Sequence, residues 1–125
     1  MSMLDTYRNN LLRKREEAAK LNQDLAKEQA KIAPLQQKII SANAAIGRTK
    51  SASTIKSKLN EIERANKAIA DTQKKVGDIQ KKLAQKEKEI AAAEKTYHNE
   101  ETKVNKKLLT LRKSVFRRPV GSLQL

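Results

Sequence analysis

Cysteine is absent from the sequence, so no disulfide, thiolate metal site or cysteine nucleophile can form, and the redox compartment stays open. Tryptophan is absent too. One Phe and two Tyr make up the whole aromatic content, 2% of 125 residues. A compact globular core leans on such large side chains, so the sequence does not describe one. No apolar run approaches the roughly 20 residues that cross a bilayer. The opening MSMLDTYRNN carries Asp5 and Arg8 where a signal peptide would be apolar. The expectation is a cytoplasmic chain with no membrane span. The single histidine, His98, has no second ligand at metal-binding spacing. Without cysteine or a second histidine, only Ser–Lys pairs such as Lys50–Ser51 and Ser57–Lys58 could supply a nucleophile and a base. Those are ordinary turn and helix-face residues. No catalytic residue, metal ligand or cofactor is therefore expected, and the chain reads as a non-enzyme.

What remains is rich in Ala, Leu, Ile, Lys, Glu and Gln, the composition of long helices and coiled coils. Apolar residues recur every seven positions at Leu4, Leu11, Ala18, Leu25, Ile32, Ile39 and Ile46. That is a heptad pattern, not the alternation of a strand. The pattern stops at Gly47, the residue type that most readily takes the positive φ of a helix end. Arg48-Thr49-Lys50-Ser51-Ala52-Ser53-Thr54 follows, with hydroxyls suited to capping the next helix. A second series then begins: Ile55, Ile62, Ile69, Val76, Leu83, Ile90, Tyr97, Val104, Leu111.

The two series mirror each other. Pairing 46 with 55, 39 with 62, and so on to 4 with 97, gives a constant sum of 101. Two unrelated heptad patterns would share this phase about one time in seven. The expected fold is all-α: a long antiparallel helical hairpin, or coiled coil. Its helices cover 3–46 and 54–115, with a turn at 47–53. A basic helical extension and a short disordered tail at 116–125, after Pro119 and Gly121, complete it. The expected seam residues are Leu4, Leu11, Leu25, Ile32, Ile39, Ile46, Ile55, Ile62, Ile69, Val76, Leu83, Ile90 and Tyr97. The same mirror places more polar layers between them: Ala42 with Leu59, Leu35 with Asn66, Glu28 with Gln73, Leu21 with Gln80, Lys14 with Glu87 and Tyr7 with Glu94. Such layers bury little apolar area, so the hairpin is expected to pack against copies of itself. Pro34 interrupts the first helix, as a kink or as a break after Ala33, at about 3 kcal/mol. Gly77 costs the second about 1 kcal/mol.

The net charge of +14 is uneven: +5 over residues 1–51, +2 over 52–102 and +7 over 103–125. Lys103, Lys106, Lys107, Arg112, Lys113, Arg117 and Arg118 have no acid among them. Such a cluster attracts nucleic acid, or an anionic membrane, by counterion release. Without aromatic platforms, contact with nucleic acid would be weak and indifferent to sequence. A basic coiled coil on nucleic acid is thus the second reading of function, and a scaffold for another partner the third. The turn Arg48–Thr54, two basic residues and four hydroxyls beside a helix N-terminus, is a place where phosphate could sit, but a capped turn is the favoured reading.

The run Ile46-Gly47-Arg48-Thr49-Lys50-Ser51-Ala52-Ser53-Thr54-Ile55-Lys56-Ser57-Lys58-Leu59-Asn60-Glu61-Ile62-Glu63-Arg64 resembles the N-terminal coiled-coil region of bacterial TIR-domain proteins. The similarity covers roughly residues 35–105. In that family, the resemblance implies, this region assembles the protein into dimers or larger bodies. The TIR domain that follows cleaves NAD with a glutamate of its own. This sequence contains no TIR-like strand run, so no residue here inherits that role. What the resemblance implies is an oligomerisation module of a TIR-type defence or signalling protein.

Overall fold

The computed structural model describes residues 2–123, and the side chains of residues 2–115. The chain is all-α and forms an antiparallel helical hairpin, with helices α1 (Met3–Gln29), α2 (Ile32–Arg48) and α3 (Ala52–Leu123). It divides into two compact units, one of Met1–Glu16 with Glu87–Leu125, the other of Glu17–Lys86.

In the unit Glu17–Lys86, the end of α1 and all of α2 run back along the first half of α3. The reversal is tighter than the sequence suggests and needs no glycine. Gly47 lies inside α2, and among the described residues none has positive φ. Thr49 instead turns the chain with an extended backbone, φ −118° and ψ 151°. The linker is only Thr49-Lys50-Ser51, because helical bonding continues through Arg48. Ser51 caps α3: its carbonyl accepts from Ile55 N–H at 3.0 Å and its Oγ from Thr54 N–H at 3.4 Å.

The first arm is two helices, not one. Its break falls at Ala30–Lys31, before Pro34 and not after Ala33. The position has a direct cause. In an unbroken helix, residue 34 would donate to the carbonyl of Ala30, but proline has no N–H and its ring collides with that carbonyl. Pro34 sits instead in the first turn of α2, where a missing donor costs nothing. Lys31 keeps a right-handed helical backbone, so the break does not reverse the chain.

In the other unit, the start of α1 lies along α3 from Glu87 onward. Ser2 caps α1 through its Oγ, which accepts from Asp5 N–H at 3.1 Å. Helix α3 does not stop at Val115. It continues through Pro119 and Gly121 to Leu123, where the sequence suggested a disordered tail. A proline deletes the one bond from 119 to 115, and the flanking helical bonds can still form. Residues 124 and 125 of the expected tail lie outside the described residues.

Burial follows the heptad on the first arm. Residues 4, 7, 11, 14, 18, 21, 25, 28, 32, 35, 39, 42 and 46 are all half-buried or buried. On α3 the seven-spaced row from Ile55 to Val104 is likewise turned inward. The row between is not the expected one. Lys58, Ala65, Thr72, Ile79, Lys86, Ala93 and Glu100 are turned inward, whereas Leu59, Asn66, Gln73, Gln80 and Glu87 are exposed and only Glu94 is half-buried. A heptad steps alternately by three and four. Stepping back four on one antiparallel helix meets a step of three on its partner. A strict mirror reuses the step of four and turns that row by about 100°. The most buried members of the true row are small: Ala65, Thr72 and Ala93. Ala42, Ala65 and Ala93 are buried, so the helices meet over short side chains and do not need aromatic bulk.

Candidate interaction surfaces

A coiled coil acts through its surfaces, so the relevant geometry is where apolar and charged side chains are left accessible. Of the thirteen expected seam residues, Leu11 and Leu83 are buried, at 4% and 7% exposure. Leu4, Leu25, Ile32, Ile39, Ile46, Ile55, Ile62, Ile69, Val76, Ile90 and Tyr97 are only half-buried. Among the described residues, no large side chain is completely enclosed.

Ion pairs border the seam in both units. In the unit Glu17–Lys86, Lys86 donates to Glu17. In the other unit, Lys14 Nζ donates to Glu89 Oε1 at 2.9 Å and Arg15 to Glu94 Oε1 at 2.9 Å. The expected partner of Lys14 was Glu87. Glu87 lies two residues, about 200°, round the helix from Glu89, and points to solvent. The pairs 14–89 and 17–86 share a constant sum of 103, two more than the apolar layers, because lysine reaches along the axis to its carboxylate.

Apolar groups are also left exposed beside the seam. In the unit Glu17–Lys86, Lys38 and Glu61 line one groove with Leu35, Ala65 and Ala68. Ile40, two residues after Lys38, and Leu59, two residues before Glu61, lie on the opposite flank and are 60% and 53% exposed. Sequence reasoning placed Leu59 in the seam and passed over Ile40.

At the helix break, Glu28 accepts from Lys31 Nζ at 2.8 Å, while its Oε2 is enclosed without a hydrogen-bond partner. The hydrogen bond from Lys31 holds the Glu28 carboxyl below its ordinary range; burial opposes this, and the charges of Lys31 and Lys75 add to the lowering. The Arg48–Thr54 turn spends its hydroxyls on itself. Thr49 Oγ1 accepts from Ser51 N–H at 3.2 Å, and the Ser51 and Ser53 hydroxyls are 3.1 Å apart. That matches a capped turn better than a phosphate cradle. His98 is exposed, tilted against the Tyr97 ring and 3.6 Å from Glu101. Among the described residues, no three His, Asp or Glu side chains gather as a metal ion would need.

The basic end forms one helical segment of α3. Lys103, Lys106, Lys107, Arg112 and Lys113 are all exposed. The side chains of Arg117 and Arg118 lie outside the described residues. Leu108, Leu109, Leu111 and Val115 are exposed on the same segment, at 53–62%. The seven-spaced series contained Val104 and Leu111; the companion row Leu108 and Val115, four residues on from each, went unread. Among the described residues, no helix is long and apolar enough to cross a membrane.

No protein-family model matches this chain, and no curated protein or solved structure matches it.

Proposed function

We propose that the chain is a non-catalytic coiled-coil assembly module that associates with further copies of itself. The observation that carries this reading is the half-buried seam: eleven of thirteen heptad residues remain partly exposed. Fully burying a Leu or Ile side chain contributes about 1.5–3 kcal/mol, and a two-helix seam realises only part of that at each layer. A second copy laid against the hairpin would recover the remainder. Ile40 and Leu59, exposed on the flank away from the Lys38–Glu61 groove, offer such a copy an apolar landing. The resemblance of residues 46–64 to the coiled-coil region of bacterial TIR-domain proteins supports the same role, in the cytoplasm and next to a TIR domain. A TIR-coding frame downstream of this sequence would strengthen that placement.

The test is sedimentation of the unmodified chain beside Ile40→Asp/Leu59→Asp at micromolar concentration. The double variant places two carboxylates on exposed positions, so the helices should form while association weakens. Unchanged association would remove this flank from the interface.

The acid-free segment 103–118 favours a second reading, weak binding to nucleic acid. Titrating random duplex at about 50 and 200 mM salt checks it. Binding should be lost at the higher salt and in a chain ending at Thr102.

A further inference from the structure

From Val104, the last inward residue of the seven-spaced row, α3 carries an apolar stripe whose other members are exposed beyond the hairpin seam. Val104, Leu108, Leu111 and Val115 are spaced by four, three and four residues, within about 60° of arc. Val104 is half-buried and the other three are exposed. In the hairpin seam of this unit, the second row stands three residues on, with Ala93 after Ile90 and Glu100 after Tyr97. Here it stands four on, with Leu108 after Val104 and Val115 after Leu111. The stripe therefore has its own heptad phase and faces its own direction.

Its width identifies the kind of partner. A helix that lies on a membrane or a broad protein face shows a continuous apolar arc of 100° or more, whereas a two-row stripe is a coiled-coil seam. Leu109, also exposed, stands about 100° round the helix from Leu108 with Arg112 between them, so it does not widen the stripe into one continuous face. Its flanks identify the partner's charge. The positions bordering the two rows, which in a coiled coil set partner choice, are held by Lys107 on one side and Arg112 on the other. Lys103, Lys106 and Lys113 occupy the back of the helix, and residues 103–118 contain no acid. A second copy of this stripe is a poor occupant. In a parallel pair, Lys107 of one chain would face Arg112 of the other. In an antiparallel pair, Lys107 would face Lys107 and Arg112 would face Arg112. Every self-pairing brings like charges together.

We propose that residues 104–115 of α3 are half of a second coiled coil, which takes an acidic amphipathic helix of a different protein. Its apolar rows would cover Val104, Leu108, Leu111 and Val115, and its Glu or Asp side chains would meet Lys107 and Arg112. This goes beyond self-assembly and uses a different surface, so neither reading depends on the other.

The experiment uses the full chain and two synthetic heptad peptides with Leu and Val in the seam, one flanked by Glu and one by Lys, read by fluorescence anisotropy. The Glu-flanked peptide should bind and the Lys-flanked one should not. Leu108→Asp/Leu111→Asp should weaken binding about tenfold or more. These residues are exposed, so helicity by circular dichroism should stay unchanged. Lys107→Glu/Arg112→Glu should invert the preference and capture the Lys-flanked peptide. The proposal is overturned if neither peptide binds, or if the charge exchange leaves the preference unaltered. It is also overturned if Leu108→Asp/Leu111→Asp breaks up the chain's own oligomers, because a second copy would then occupy the stripe. Parallel titrations with phosphatidylserine vesicles and random duplex complete the test. Binding to either that exceeds binding to the Glu-flanked peptide would show a lipid or nucleic-acid site instead.

Discussion

Lys14 of α1 donates to Glu89 of α3 across 75 residues of sequence, at 2.9 Å, with both side chains largely shielded from solvent. The shielding makes this pair worth more than an exposed one, for which about 0.2–1 kcal/mol is usual. Lys14→Glu should therefore destabilise the hairpin, and Glu89→Lys in the same chain should restore most of the loss. Chemical denaturation of the single and double variants measures the coupling. Glu87→Lys, on the solvent side, should leave stability nearly unchanged. A larger effect at Glu87 than at Glu89 would contradict the register.

Ala65 is 4% exposed and lies in the inward row of α3, whereas Leu59 is exposed. Ala65→Leu should overpack the seam and cost about 1–3 kcal/mol. Leu59→Ala should cost the isolated hairpin little, since it removes no buried contact. Midpoints of thermal unfolding, compared at a concentration where association is constant, decide between this row and its mirror alternative.

The break at Ala30–Lys31 is ascribed to a single residue. Pro34→Ala restores an N–H that can reach the Ala30 carbonyl and removes the ring from its path. The variant should join α1 and α2, raise helicity, and slow amide exchange over residues 30–34. Unchanged exchange there would mean that the break has another cause.

Glu28 titrates below the ordinary carboxylate range because Lys31 donates to it. A carboxyl depressed in the folded state stabilises above its unfolded pKa and loses that contribution as pH falls through the folded value. Stability should thus decline on acidification past the ordinary glutamate range, and Glu28→Gln should remove that part of the decline. Urea midpoints between about pH 3 and pH 7 measure it, since an unperturbed glutamate titrates near 4.3.

Much of the fold was legible because heptad spacing is a long-range signal: the seven-spaced rows and the reversal near residue 50 needed only apolar periodicity. The row containing Ala65, Thr72 and Ala93 was not, because small and polar residues carry no hydrophobic signature. Antiparallel geometry, not residue type, turns them inward. Gly47 misled for the opposite reason. Its conformational freedom marks helix ends in general, but here Thr49 performs the turn with ordinary extended angles. The end of α3 was placed at residue 115, ahead of Pro119, but a proline weakens a helix without always ending it. Among the interaction surfaces, the basic cluster was plain from composition, while the stripe alongside it required reading a shift in heptad phase at Val104.

Self-association is tested most directly by light scattering after size exclusion on the unmodified chain, loaded over a range of micromolar concentrations. A mass of at least twice 14.1 kDa, falling on dilution, is the expected result. A helical, cooperatively folded species that stays at 14.1 kDa throughout would contradict it.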